Sequence, residues 1–208
     1  MPLIPHATRG PGIEVVKLGG SLMGSGGVHP GLRPLLAALA RAGAPRVVVG
    51  GGGALADAVR ALQPRLDLSE RAAHEMAILA MEQTAVALAD LAPGLAPAAD
   101  EAAIAAAHAA GRAALWRPAA LALAAEVPAS WEVTSDSLAA WLAVRLGAAR
   151  LTLVKTARVE LPDGPAEDWA AAGLVDTYLP VVTRNFAGTL RALSIGDALA
   201  HYAADAAS

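Results

Sequence analysis

Short β-branched runs alternate along the chain with longer stretches of helical spacing. Ile13–Leu18 (IEVVKL) and Arg46–Val49 (RVVV) are too short for helices and too continuously apolar for surface strands, so they predict buried strands. Leu151–Lys155 (LTLVK) predicts a third, and Ala113–Trp116, Trp131–Thr134 and Leu193–Ile195 predict further short ones. Helical spacing covers Leu32–Ala42, closing at Gly43 with Pro45 beyond, and resumes as ALADAVRAL after Gly50–Gly53. It continues through Leu68–Leu91, Asp100–Ala110 and Ala119–Ala125, and through Ser135–Leu146, read as an amphipathic helix closing at Gly147. The segment from Pro162 to Pro165 reads as a loop before short helices. Strands separated by helices need crossover connections. The expected fold is therefore α/β, a three-layer αβα sandwich with a largely parallel central sheet. Residues 13–200 read as a single domain between an N-terminal tail (1–12) and a C-terminal tail (201–208).

Composition narrows the classes. The chain has 208 residues, 16 basic against 19 acidic, and no cysteine, which excludes disulfides, thiolate metal sites and cysteine nucleophiles. The net charge of -3 argues against a polyanion-binding surface. The start, MPLIPHATRGPG, has no apolar signal core, and the most apolar tract, 102–127, is interrupted by charges and a proline. A cytoplasmic protein without nucleic-acid or membrane partners is expected. Fourteen of the basic residues are arginines, and the two lysines, Lys17 and Lys155, both end apolar strand-like runs.

Four motifs could carry chemistry. Lys17-Leu18-Gly19-Gly20-Ser21 puts a cation beside bare backbone N–H groups that an anion can approach closely. It lacks the order of a P-loop, in which glycines precede the lysine. Gly50–Gly53 makes a glycine cradle at a helix start, a ready anion site. The run 51–56 also fits a dinucleotide G-x-G-x-x-A pattern. That pattern expects an acidic residue about 20 positions later at the end of a second strand, and Asp67 and Glu70 fall short of it. Thr134-Ser135-Asp136-Ser137 lies at the start of a helix, and Leu153-Val154-Lys155-Thr156 ends a strand. Tight turns and helix caps explain each motif singly. Two lysines in equivalent strand-end positions are harder to explain so. Met76 and Met81 read as core fillers, and His6, His29, His108 and His201 form no metal-ligand pattern.

With these four motifs in order, residues 13–197 resemble the amino acid kinase family, in which a K-[LIV]-G-G-S strand end, a V-x-G-G-G turn, an S/N-D helix and an L-x-[KT] strand surround ATP and a phosphoryl acceptor. The stretches 51–60, 73–85 and 131–148 look like the kinases of methanofuran biosynthesis. These convert [5-(aminomethyl)furan-3-yl]methyl phosphate to its diphosphate. The resemblance implies ATP and Mg²⁺ as cofactors, a phosphorylated small-molecule acceptor, and a homo-oligomer in which the Leu68–Leu91 helix packs on a second subunit. Lys17 would bridge the transferring phosphoryl group, while Asp136 would orient Lys17 and Lys155 or help hold Mg²⁺. Gly19, Gly20 and Ser21, with Ser135 and Thr156, would serve the nucleotide. Gly51, Gly52 and Gly53 would hold the acceptor side, with Arg60 gripping the acceptor phosphate and Asp57 meeting an acceptor ammonium or pairing with Arg60. Larger relatives carry a downstream lysine after a Gly-Gly-Met segment, whereas Gly173–Asp197 contains none. That role is vacant or passes to Lys155, Arg184 or Arg191. Uridylate, isopentenyl phosphate and carbamate remain as acceptors within the family. Outside it stand an oxoanion storage protein on the same scaffold and a dinucleotide-dependent oxidoreductase.

Overall fold

A computed structural model describes residues 12–24, 26–41 and 45–205. Six strands form one sheet: β1 (Glu14–Leu18), β4 (Arg46–Gly50), β5 (Ala96–Ala98), β6 (Ala114–Trp116), β7 (Arg150–Lys155) and β8 (Thr189–Ser194). Their order is β5-β6-β4-β1-β7-β8 and every neighbouring pair is parallel. A small antiparallel ribbon, β2 (Met23–Gly24) with β3 (Gly27–Val28), follows the first glycine turn. The helices are α1 (Leu32–Leu39), α2 (Gly53–Leu66), α3 (Glu70–Leu91), α4 (Glu101–Ala109), α5 (Ala119–Ala122), α6 (Ser135–Arg145), α7 (Ala166–Ala171), α8 (Leu179–Thr183) and α9 (Ile195–Asp205).

The continuous apolar strands are buried on both faces, as a helix-covered parallel sheet requires. Val15, Val47, Val49, Leu151 and Leu153 pack toward α6 and the first half of α3. Their neighbours Val16, Leu18, Val48 and Val154 pack toward α1, α9 and the end of α3. Period-two alternation therefore fixes which face each strand-end side chain meets. Lys17 follows Val15 by two positions and Lys155 follows Leu153 by two, so both point to the α6 face.

Several expectations need correction. Trp131–Thr134 is not a strand: it turns, because Thr134 caps α6 and Ser130 Oγ accepts from Glu132 N–H. Helix α6 is buried around most of its circumference rather than amphipathic, since it lies between the sheet and α8. The helix after the glycines runs beyond ALADAVRAL to Leu66, where Asp67, with a left-handed φ of 51°, ends α2 before Ser69 caps α3. The last strand starts at Thr189, and α9 runs to Asp205, so residues 201–205 are helical rather than a tail. Their anchor is a buried polar network at the edge of the sheet away from the glycine turns. Glu14 accepts from Arg46 Nε (3.3 Å), Thr152 Oγ1 (2.9 Å) and Tyr202 Oη (2.9 Å), while Arg46 Nη2 reaches Asp205 at 2.7 Å. The N-terminal tail, up to residue 11, lies outside the described residues.

Candidate active site

The C-terminal edge of a parallel sheet is where open α/β folds bind ligands. There β1 ends in Lys17 and β7 in Lys155. Asp136, in the first turn of α6, meets both: Lys17 Nζ lies 2.8 Å from Oδ1 and Lys155 Nζ donates to Oδ2 at 2.7 Å. The side chains of Lys17, Asp136 and Lys155 are only 4%, 6% and 12% exposed. Lys17 meets Oδ1 as an ion pair, and no other donor reaches that oxygen among the described residues. Burial alone would raise the Asp136 carboxyl, but the two ammoniums outweigh it and hold it below its ordinary range. The same crowding brings Lys155 down to about 8: burial and the Lys17 charge lower it against the pull of Asp136 and Asp176. The three groups carry one net positive charge, concentrated and largely dry.

Beside them the two glycine turns interlock. A Cβ on Gly51 would lie 2.6 Å from Gly20 N, and one on Gly20 would lie 2.7 Å from Gly53 N, which itself has φ +53°. The turns thus form one surface, not two separate cradles. Their N–H groups are not all available. Gly19 N–H donates to Val154 O and Gly51 N–H to Leu18 O, both at 2.9 Å, so neither has a hydrogen left for a phosphate. Among the described residues, the N–H groups of Gly20, Ser21, Gly52 and Gly53 have no protein acceptor. Ser21 Oγ lies 3.0 Å from Thr156 Oγ1, which closes the motifs that end β1 and β7 onto each other.

The sequence model of the amino acid kinase family matches residues 12–158. The chain belongs to the amino acid kinase family. Solved structures of similar fold include uridylate kinase from Archaeoglobus fulgidus, with TM-score 0.64 and 16% identity over 91% of this chain and 95% of that one. UMP kinase from Ureaplasma parvum gives 0.63 and 13% over 90% and 92%. Aspartate kinase from Synechocystis gives 0.59 and 14% over 88% of this chain but only 38% of that one. No curated protein sequence matches this chain.

On the other side of the glycine surface this kinase-family chain has a small cleft of about 70 Å³, open to solvent. Its walls are mostly apolar: Ala56, Ile78, Met81 and Leu138 among them, with Gly52 and Ser135 near the glycine turn and Arg60 about two turns along α2. Arg60 stacks on the Trp131 ring at 4.1 Å, and the Trp131 indole N–H donates to Gln63 Oε1. Asp57 is exposed and is neither part of this wall nor ion-paired with Arg60. The ammonium partner expected from it is therefore absent from the cleft. Of the substitutes for the downstream lysine, Arg184 is exposed after α8, and Arg191 pairs with Asp163 at 2.8 Å. Of these three substitutes, Lys155 alone pairs with Asp136 among the described residues. No cluster of three metal-ligating side chains exists among the described residues, and Asp136 is held by two lysines. The residues present thus do not fit a protein-held Mg²⁺. No helix of the described residues is long and apolar enough to cross a membrane.

Three site residues escaped the sequence reading. His74 lines the cleft with Ala77, Ile78 and Met81, spaced i, i+3, i+4 and i+7 on one face of α3. Burial pushes its imidazole down, against a backbone hydrogen bond at Ser130 and the Glu75 charge. Trp131 sat in a segment read as a strand. Asp176 occupies the stretch before α8 and bonds to the start of α6.

Proposed function

We propose that the chain is an ATP-dependent small-molecule kinase acting on a phosphate monoester. The supporting observation is the pair of strand-end lysines sharing one buried carboxylate beside a single glycine surface with unused N–H groups. Phosphoryl transfer needs positioning and charge stabilisation more than covalent chemistry. The nucleotide phosphates would lie along Gly20 and Ser21, near Thr156, and the acceptor in the cleft beside Gly52, Ser135 and Arg60. An oxygen of the acceptor phosphate attacks the γ-phosphorus, the bond to the β-phosphate oxygen breaks, and ADP leaves with a new diphosphate. Lys17 and Lys155 neutralise the charge that gathers on the transferring oxygens, while Asp136 holds their ammoniums together without blocking them. A phosphate acceptor is already ionised near neutral pH, so no strong general base is needed. Mg²⁺ would arrive on the nucleotide phosphates.

The acceptor favoured here is [5-(aminomethyl)furan-3-yl]methyl phosphate. The resemblance of 51–60, 73–85 and 131–148 to methanofuran-biosynthesis kinases supports it, as does a cleft whose apolar walls suit a small ring better than a nucleoside. ADP formation should be followed over a panel containing this acceptor, uridylate and isopentenyl phosphate. Lys17→Ala should lower turnover about 10²–10³-fold in a folded protein. Wild-type turnover in that variant would sink the assignment. ATP binding without acceptor-dependent ADP would favour an oxoanion store.

A further inference from the structure

We infer that Asp176 is a positioning residue for phosphoryl transfer: it holds the turn that presents Asp136 and supplies the second negative charge around Lys155. This rests on the kinase reading of the site. Asp176 lies between α7 and α8, forty residues from Asp136 in the chain, yet its carboxylate receives five donors. Oδ2 accepts Thr134 N–H (2.9 Å), Thr134 Oγ1 (2.6 Å) and Ser137 N–H (3.1 Å). Oδ1 accepts Leu179 N–H (2.9 Å) and the Ser137 hydroxyl. One carboxylate therefore satisfies orphan N–H groups at the starts of two helices, α6 and α8. The residues it grips, Thr134 and Ser137, flank Ser135 and Asp136. Fixing both sides of that pair fixes the direction of the Asp136 carboxylate, on which both lysines depend.

The charge has a second effect. The charged groups acting on Lys155 are Lys17 on β1, Asp136 on α6 and Asp176 before α8. Asp176 pulls toward the ammonium form, against burial and Lys17. It thus acts on the site through Lys155.

Two lysines make the test direct. In protein labelled with ¹³C-lysine, only two side-chain Cε signals are expected, so the Lys155 titration can be read without turnover. In Asp176→Asn the Lys155 midpoint should fall by about half a pH unit or more. The kcat should fall roughly 10–100-fold, with KM for ATP within about threefold. Ser137→Ala, which weakens the same cap without removing charge, should lower thermal stability but leave the Lys155 midpoint in place. An unchanged midpoint and an unchanged kcat in Asp176→Asn overturn the inference, and an equal midpoint shift in Ser137→Ala overturns its charge half, because the cap alone would then account for Lys155. If no acceptor gives ADP but the midpoint still moves, the kinase reading fails and the electrostatic role of Asp176 stands.

Discussion

Replacing Lys155 by methionine should separate stability from chemistry. The Lys155 ammonium titrates at about 8, against an ordinary 10.5, because burial and Lys17 outweigh Asp136 and Asp176. At about 1.4 kcal/mol per pH unit, that gap is roughly 3 kcal/mol against the charged form near neutrality. The unfolded chain binds this proton more tightly than the folded one. The penalty is therefore complete below about 8 and disappears as pH rises toward 10.5. Methionine keeps most of the stem volume, and Asp136 keeps Lys17 at 2.8 Å. Lys155→Met should be about 1–3 kcal/mol more stable than the parent in urea near pH 7, with an advantage that shrinks toward pH 9. Burial and the Glu14 charge push the Tyr202 phenol up, so above about 10 its ionisation in the unfolded chain lowers stability, but equally in parent and variant, and it cancels from their difference. Acceptor-dependent ADP formation should fall about 10²–10³-fold. A variant less stable than the parent near pH 7 refutes the reasoning, and so does one that keeps its turnover.

The same proton predicts a pH profile. The kcat/KM should decline above about 8 as Lys155 in the free enzyme loses its charge, while kcat declines at higher pH because bound phosphates favour the ammonium. A flat kcat/KM through pH 9 counts against Lys155. Gly51→Ala places a Cβ 2.6 Å from Gly20 N and should cost about 1–3 kcal/mol together with turnover, whereas Gly26→Ala, with open space around it, should change neither. Equal melting temperatures for the two would show that the turns are not interlocked. Trp131→Ala removes the Arg60 stack and the Gln63 bond and should raise the acceptor KM about tenfold without moving the ATP KM. Equal effects on both would detach the cleft from the acceptor.

Where the pattern was local, the sequence was readable. The β-branched runs ending at Leu18 and at Lys155 are strands, and alternation from Val15 and Leu153 places both lysines on one face. Misreadings came where long-range contacts decide. Trp131–Thr134 has the composition of a strand, but the cap at Thr134 and its bonds to Asp176 turn it. The final helix was hidden because its anchor is Tyr202 on Glu14, 188 residues apart. An interlock between two glycine turns is equally invisible in sequence, since each motif reads complete by itself.

Asp176 left a weak trace. An aspartate three residues before Leu179, with Pro180 next, is a helix-start signal. Nothing local says that the same carboxylate also caps α6, and a cap alone would be ordinary. Its importance comes from what it grips. Burying two ammoniums costs stability that a pair of apolar side chains would not, and a buried ion cluster is weak evidence for stability by itself. A chain that makes fourteen of its sixteen cations arginine, yet keeps lysine at both of these buried ends, retains two compact charges where a planar guanidinium would be bulkier. One carboxylate between them, and a second fixing the first, is an arrangement whose stability cost makes sense if the two charges meet on an anion.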